Sequence, residues 1–208
     1  MSQVHSVARM TPRTRAEIKA SSDSLSVVVA ERYNITLATP ATGGGVSTHG
    51  EIFWPTFNQP AQMEEFFSLA LPLSDATYQS RLLDSGLPRD PPFIEQAKTL
   101  AAGGGVRTFI LFLNAKPVAY VFCFSNEGII TYDYVGYDSS VSNLSAGTIL
   151  QFLILRSLFS DPECSIFDFT EGEGAQKQFF GTASRRCAKS YFLVARARMC
   201  VSCVCITA

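Results

Sequence analysis

Two stretches of this chain gather residues that can do chemistry. In the first, 167–180, polar and glycine residues follow a short apolar run: Asp168, Thr170, Glu171, Gly172, Glu173, Gly174, Gln176 and Lys177. Carboxylates and a lysine just past a strand stand where α/β sheets usually meet their ligands. Such groups can accept a proton or pair with an anion. The plainer reading has Asp168 in structural hydrogen bonds, Glu171 and Glu173 favouring the dipole of a following helix, and Lys177 in water. The second stretch, Asn143, Leu144, Ser145, Ala146, Gly147 and Thr148, precedes a strongly apolar run. Small residues at a helix start leave backbone N–H groups open to phosphate or pyrophosphate. Here the plainer reading is that Ser145 caps a core helix and Gly147 eases the turn. Taken alone it prevails, because a dipole contribution of about 0.3–1 kcal/mol is small beside roughly 1.5–3 kcal/mol for each buried Leu, Ile or Phe.

Histidine-dependent chemistry is poorly supplied. The two histidines, His5 and His49, both lie in the N-terminal part, which argues against a Ser/His/Asp hydrolase. The Gly-x-Ser-x-Gly elbow, the Walker A loop, the Gly-x-Gly-x-x-Gly fingerprint and His-Glu-x-x-His are absent. Of six cysteines, Cys200, Cys203 and Cys205 cluster near the C-terminus, but three thiols fall short of the four ligands of structural zinc. The expectation is buried free thiols and no metal.

At 208 residues with 47% apolar and 17% charged side chains, the chain can bury one substantial core. A formal charge of −1 gives no net field to gather nucleic acid. The best apolar stretch, 109–124, is interrupted by Asn114, Lys116 and Pro117, so no membrane span is expected. Arg9, Arg13, Arg15 and Lys19 lie near the N-terminus without the apolar core of a signal peptide, which predicts a cytoplasmic protein.

The elements that must position these groups follow from periodicity and punctuation. Residues 1–60 are hard to read, with one candidate strand at 25–30 and a turn or linker at Gly43, Gly44 and Gly45. Met63, Phe66, Phe67 and Ala70 keep helical spacing until Pro72, expected to stop the run. Ser74 then reads as the N-cap of a second helix carrying Tyr78, Leu82 and Leu83. A third spans 93–101 and closes at Gly103, Gly104 and Gly105. Strands at 106–113, 118–124 and 129–136, joined by tight turns, read as an antiparallel meander. A helix at 148–159 ends at Asp161 and Pro162, and a strand at 165–169 follows. Strand, helix, strand predicts a crossover that sets 129–136 and 165–169 parallel in one sheet. A short helix at 175–180 and a strand at 188–194 complete an α/β (α+β) fold: a mixed, mostly antiparallel sheet flanked by helices. The domain is expected to cover 61–194, with an atypical tail at 195–208.

Taken together and in order, these residues resemble a known family. Asp168-Phe169, then Gly172, then Lys177 and the aromatic Phe180 look like the signature of the FemAB-like and CelD-like GNAT acyltransferases. The hairpin around Leu113–Ala119, the strand ending at Tyr137, and Ser145, Gly147 and Thr148 before an apolar helix follow in the family's order. The resemblance covers about 93–194, with Ala115 where a turn glycine is usual. It implies a fold in which two neighbouring strands, here 129–136 and 165–169, splay to admit a thioester. It further implies acyl-CoA or acetyl-CoA as co-substrate, its pyrophosphate near Ser145, Ala146, Gly147 and Thr148. A backbone amide of Val135 or Gly136 would polarise the thioester carbonyl, and an amine would attack directly. Glu171 or Glu173 would take the proton, with Asp168 holding the site, Lys177 contacting an anionic group, and Tyr134 or Tyr137 as alternative acids. The acceptor implied is a small-molecule or amino-acid-like amine. FemAB-like transfer from charged tRNA is the enzymatic rival, disfavoured by a pI near 6.1. A catalytically silent module of the same fold is the other.

Overall fold

A near-continuous apolar run suits a strand covered on both faces, and Val106–Leu113 and Lys116–Asn126 carry that pattern. The computed structural model describes residues 2–9, 35–36, 44–47, 50–77, 86–172, 177, 180–192 and 200–205. Among the described residues one sheet contains β1 (Ser2–Arg9), β2 (Ile35–Thr36), β3 (Gly44–Ser47), β4 (Gly50–Phe53) and β5 (Val106–Leu113), then β6 (Lys116–Asn126), β7 (Ile129–Tyr137), β8 (Ile166–Glu171), β9 (Ala183–Phe192) and β10 (Cys200–Cys205). Their order is β10-β9-β1-β8-β7-β6-β5-β4-β3-β2. β7 and β8 are parallel, and the other neighbours are antiparallel. The helices are α1 (Met63–Asp75), α2 (Pro91–Ala102) and α3 (Ala146–Ser160). The fold is thus the mixed, mostly antiparallel α/β arrangement expected, including the parallel crossover through α3.

β6 divides two cores. Val121 and Cys123 face α3 together with Phe109, Tyr132, Phe167 and Phe169. Tyr120 and Phe122 face α1 and α2 with Phe66, Phe67 and Ile110. α3 buries Ile149 through Leu155 and Leu158, so packing rather than an end effect holds it in place. α2 begins where Pro91 follows Asp90, whose carboxylate accepts the Phe93 N–H at 3.2 Å, and it ends at Gly103.

Two-residue turns set the meander's register. Asn114 and Ala115 have φ of 50° and 62°, Glu127 and Gly128 of 48° and 78°, the positive values that hairpin turns matching strand twist require. Ala115 occupies this region at a steric cost of roughly 1–2 kcal/mol, whereas glycine loses about 0.5–1 kcal/mol through unfolded-state entropy. Ala115→Gly is therefore expected to stabilise the chain by about 0.5–1 kcal/mol, read as a higher urea midpoint at unchanged slope. A lower midpoint would show that the turn is not strained.

Several expectations need correction. Pro72 does not stop α1, which runs to Asp75. Pro72 and Ser68 are exposed, so the missing hydrogen bond falls on the solvent side while buried Leu73 and Ser74 hold the last turn. Ser74 lies inside α1 rather than at an N-cap; its Oγ accepts the Leu87 N–H at 2.8 Å, tying that residue to α1. Tyr78, Leu82 and Leu83, the candidate strand 25–30 and Gly43 lie outside the described residues, whereas Gly44 and Gly45 are in β3 rather than a turn. The hard-to-read N-terminal part supplies β1, paired with both β8 and β9. The strand expected at 188–194 begins earlier, at Ala183, because β1 offers a partner edge along Ala183–Ala188. The tail supplies β10.

Candidate functional site

β7 and β8 run together only briefly. Their register covers Ile129↔Ile166, Ile130↔Phe167 and Thr131↔Asp168. Beyond it β7 continues to Tyr137 against β6, and β8 to Glu171 against β1, so the two strands part into a fork. Just past the last pair the β6–β7 register slips. Cys123 opposes Tyr132 and Phe122 opposes Tyr134, leaving Asp133 as the extra residue of a bulge.

The bulge decides which amides face the fork. The Asp138 N–H donates to the Val118 carbonyl of β6 at 2.8 Å. Strand N–H groups alternate in direction, so those of Gly136 and Tyr134 also point to β6, and those of Val135 and Tyr137 turn into the fork. Of the two candidate amides, Val135 has the required direction and Gly136 does not. Gly136 is required for packing instead: a Cβ there would lie 2.5 Å from Tyr120 Cε1 and 3.0 Å from Thr77 Cγ2. Gly136→Ala is expected to cost about 1–3 kcal/mol by overpacking, measured as a fall in urea midpoint. A midpoint within error of the parent would contradict the contact.

Tyr134 is turned away from α3. Its ring packs on Phe93 at 5.7 Å and Phe122 at 6.0 Å, and burial, then Asp133 and Asp90, raise its phenol pKa. That environment keeps the proton on the phenol. Val135, on the opposite face, packs against the α3 core.

From the end of β7 the chain turns into α3 through Asp138. Its carboxylate accepts the Ser140 N–H at 2.9 Å and pairs with Lys116 at 2.7 Å; these bonds, Lys116 first, lower its pKa to about 2. Ser145 then adopts φ 51°, ψ 41° and makes no side-chain cap bond. The expectation of a Ser145 cap is corrected: a capping side chain needs the extended backbone that this residue lacks. The Ser145 carbonyl accepts the first helical bond, from Ile149 N–H at 3.0 Å. The amides of Ala146, Gly147 and Thr148 precede it and have no carbonyl within the helix to receive them. A Cβ on Gly147 would meet only the Tyr137 ring, at 3.5 Å, so close packing does not demand glycine there.

On the β8 side, Asp168 Oδ1 accepts the Thr170 N–H at 2.8 Å, the structural bond foreseen, and Thr170 takes φ of 61°. Lys177 is half-buried rather than in water. Its ammonium donates to the Glu171 carbonyl; burial lowers its pKa, and Asp168 and Glu171 oppose that shift. Glu171 ends β8 opposite His5 of β1. Glu173, and the expected helix 175–180 apart from helical Lys177 and Phe180, lie outside the described residues.

Asp133 was missed by sequence reasoning. Although the residue is open to solvent, partial desolvation of its carboxyl raises its pKa to about 6, with a Phe124 backbone bond opposing and the Asp168 carboxylate adding to the rise. A signal was present: one carboxylate inside an otherwise aromatic and β-branched run, Ile129 to Val135. Cys123 and Cys164 are buried free thiols, as expected. Among the described residues no group of three or more His, Cys, Asp or Glu is placed to hold a metal ion, and no helix is long and apolar enough to cross a membrane.

A family model described as an acetyltransferase (GNAT) domain matches residues 47–178. The chain belongs to this GNAT acetyltransferase family. The match spans the meander, the fork, α3 and the β8 segment through Lys177. No curated protein sequence matches. Among solved structures, the GNAT-like chain resembles the C-terminal domain of a candidate lysylphosphatidylglycerol synthetase from Agrobacterium fabrum, with TM-score 0.52 and 11% identity over 85% of this chain and 50% of that one. An aminoglycoside acetyltransferase from an uncultured soil metagenomic sample, in complex with sisomicin, gives TM-score 0.45 and 12% identity over 62% and 82%. A GCN5-related N-acetyltransferase from Kribbella flavida gives TM-score 0.43 and 11% identity over 87% and 53%. The GNAT chain thus spans about half the length of the first structure, and their likeness is one of fold.

Proposed function

We propose that this GNAT chain is an N-acyltransferase that moves an acyl group, in the first instance acetyl, from acyl-CoA to an amine by direct attack. The observation that carries the reading is the β7–β8 fork, with the Val135 N–H turned into it and the uncapped start of α3 following β7. A free strand edge, followed by open helix amides with room at Gly147, fits a pantetheine arm ending in a pyrophosphate. The FemAB-like and CelD-like order of Asp168, Phe169, Gly172 and Lys177 supports placement in that branch.

Acyl-CoA would supply an electrophilic thioester carbonyl; as the amine forms the new C–N bond the C–S bond breaks, and CoA leaves as a thiolate that takes a proton from solvent. Val135 N–H donates to its oxygen where charge grows in the transition state, and the amides of Ala146, Gly147 and Thr148 hold the pyrophosphate. We place proton acceptance from the attacking amine on Asp133 rather than on Glu171 or Glu173. Asp133 stands at the opening of the fork, and a pKa of about 6 leaves it ionised yet basic near neutral pH. Asp168 supports that basicity across the fork, and Lys177 contacts an anionic group of acceptor or donor.

The experiment is thermal unfolding of the full chain with acetyl-CoA, longer acyl-CoAs and free CoA. A ligand at 100 times its Kd adds about 2.7 kcal/mol, which raises Tm by roughly 5–10 °C in a chain of this size. A saturable rise, with acetyl transfer to a panel of amines, is the expected result. A folded chain that shifts with no thioester would turn the assignment to tRNA-dependent aminoacyl transfer or to a silent GNAT module.

A further inference from the structure

The clustered cysteines are sorted by the sheet rather than by their spacing. β9 and β10 are antiparallel, with Cys205 directly opposite Cys187 and Cys203 opposite Lys189. Strand positions alternate between faces, so Cys187, Cys203 and Cys205 share one face and Cys200 takes the other. Directly opposed antiparallel residues have Cα atoms about 4.5 or 5.5 Å apart, and both values fall within the roughly 4.4–6.8 Å that a disulfide spans. Cys203 is only diagonal to Cys187, at a separation of about 7–8 Å that a disulfide does not bridge without backbone movement. Among the described strands β10 ends the sheet, and β9 is its single neighbour.

We propose that Cys187 and Cys205 form a reversible cross-strand disulfide that ties β10 to β9. The step is exchange with a low-molecular-weight disulfide such as oxidised glutathione. One cysteine thiolate attacks it, giving a mixed disulfide and one glutathione thiolate. The opposed thiolate then displaces the second glutathione. The protein's two thiols lose two electrons and two protons, which leave as two glutathione thiols. Cys123 and Cys164 do not compete, because both are buried and burial pushes the Cys123 thiol pKa well up.

The test is a peptide map of the folded, full-length chain after dilute treatment with oxidised glutathione, alkylation of remaining thiols and unreduced tryptic digestion. Cleavage after Arg186, Lys189 and Arg198 isolates Cys187 from Cys200, Cys203 and Cys205. The expected product joins these two peptides through Cys205, with alkyl labels on Cys200 and Cys203, and dithiothreitol separates them. The link survives in Cys200→Ser and is lost in Cys205→Ser. The same treatment in guanidinium chloride, where register is gone, should distribute the link over all three partners. Alkylated or glutathionylated Cys187 in the folded chain, or a link spread there as in denaturant, would overturn the proposal without bearing on acyl transfer.

Discussion

With Asp133 replaced by asparagine, kcat/KM for acyl transfer is expected to fall about 10²- to 10⁴-fold, the usual contribution of a positioned base. Asparagine keeps the shape and the acceptor oxygen for the Phe124 N–H but cannot take the amine proton. Two further readouts separate this role from a structural one. In the parent enzyme the rate falls as pH drops below about 6, because protonated Asp133 no longer accepts a proton; the variant should lack that limb. Stability moves the other way. A carboxyl whose folded pKa is raised favours folding while protonated, and that contribution is lost as pH climbs from its ordinary value near 4 through about 6. At pH 7 Asp133→Asn should therefore be at least as stable as the parent. Undiminished turnover, or an acid limb still centred near 6 in the variant, would remove Asp133 from the chemistry.

Gly147→Asp is expected to separate stability from ligand binding. A carboxylate in the first turn of α3 complements the helix dipole and should add about 0.3–1 kcal/mol. Steric cost is small, since the new Cβ meets only the Tyr137 ring. The same charge would stand among the amides assigned to the donor pyrophosphate. Like charges a few ångströms apart near a protein surface repel by up to about 4 kcal/mol, so Kd for free CoA should rise at least about tenfold in titration calorimetry. Gly147→Ala, which adds bulk without charge, should change it far less. A more stable variant with parental CoA affinity would show that the donor does not reach the start of α3.

The meander and the crossover were legible because their signals are local. Asn114, Gly128 and the glycines at 103–105 mark the turns, and apolar runs of strand length lie between them. β1 was not legible: Ser2–Arg9 becomes a strand by pairing with segments about 160–185 positions away, and nothing nearby announces it. Pro72 misled because a helix breaker on a solvated face removes a bond without removing the packing that holds the turn. Ser145 misled because residue type marks a cap only when the backbone is extended. Asp168 and Lys177, which belong to the proposed site, stand out by their order along the chain. Asp133 was passed over: a lone carboxylate in an aromatic and β-branched run marks it, but a bulge changes register without changing composition, so its place at the fork is not written in the sequence.

That bulge also acts as a parity switch. Ile130 and Tyr132 face α3 at even positions, and Val135 does so at an odd one. One additional residue converts the count, so every later position of β7 takes the side its number would otherwise forbid. Deleting Asp133 would close the bulge and restore plain alternation, because Tyr132 and Tyr134 already oppose the consecutive residues Cys123 and Phe122. Tyr134 would stay on the Phe93 side, Val135 would still face α3 with its amide turned to the fork, and Gly136 would keep its place against the Tyr120 ring. The bulge thus adds a carboxylate and a local bend at the fork while the residues on either side of it keep the alternation of an unbroken ladder.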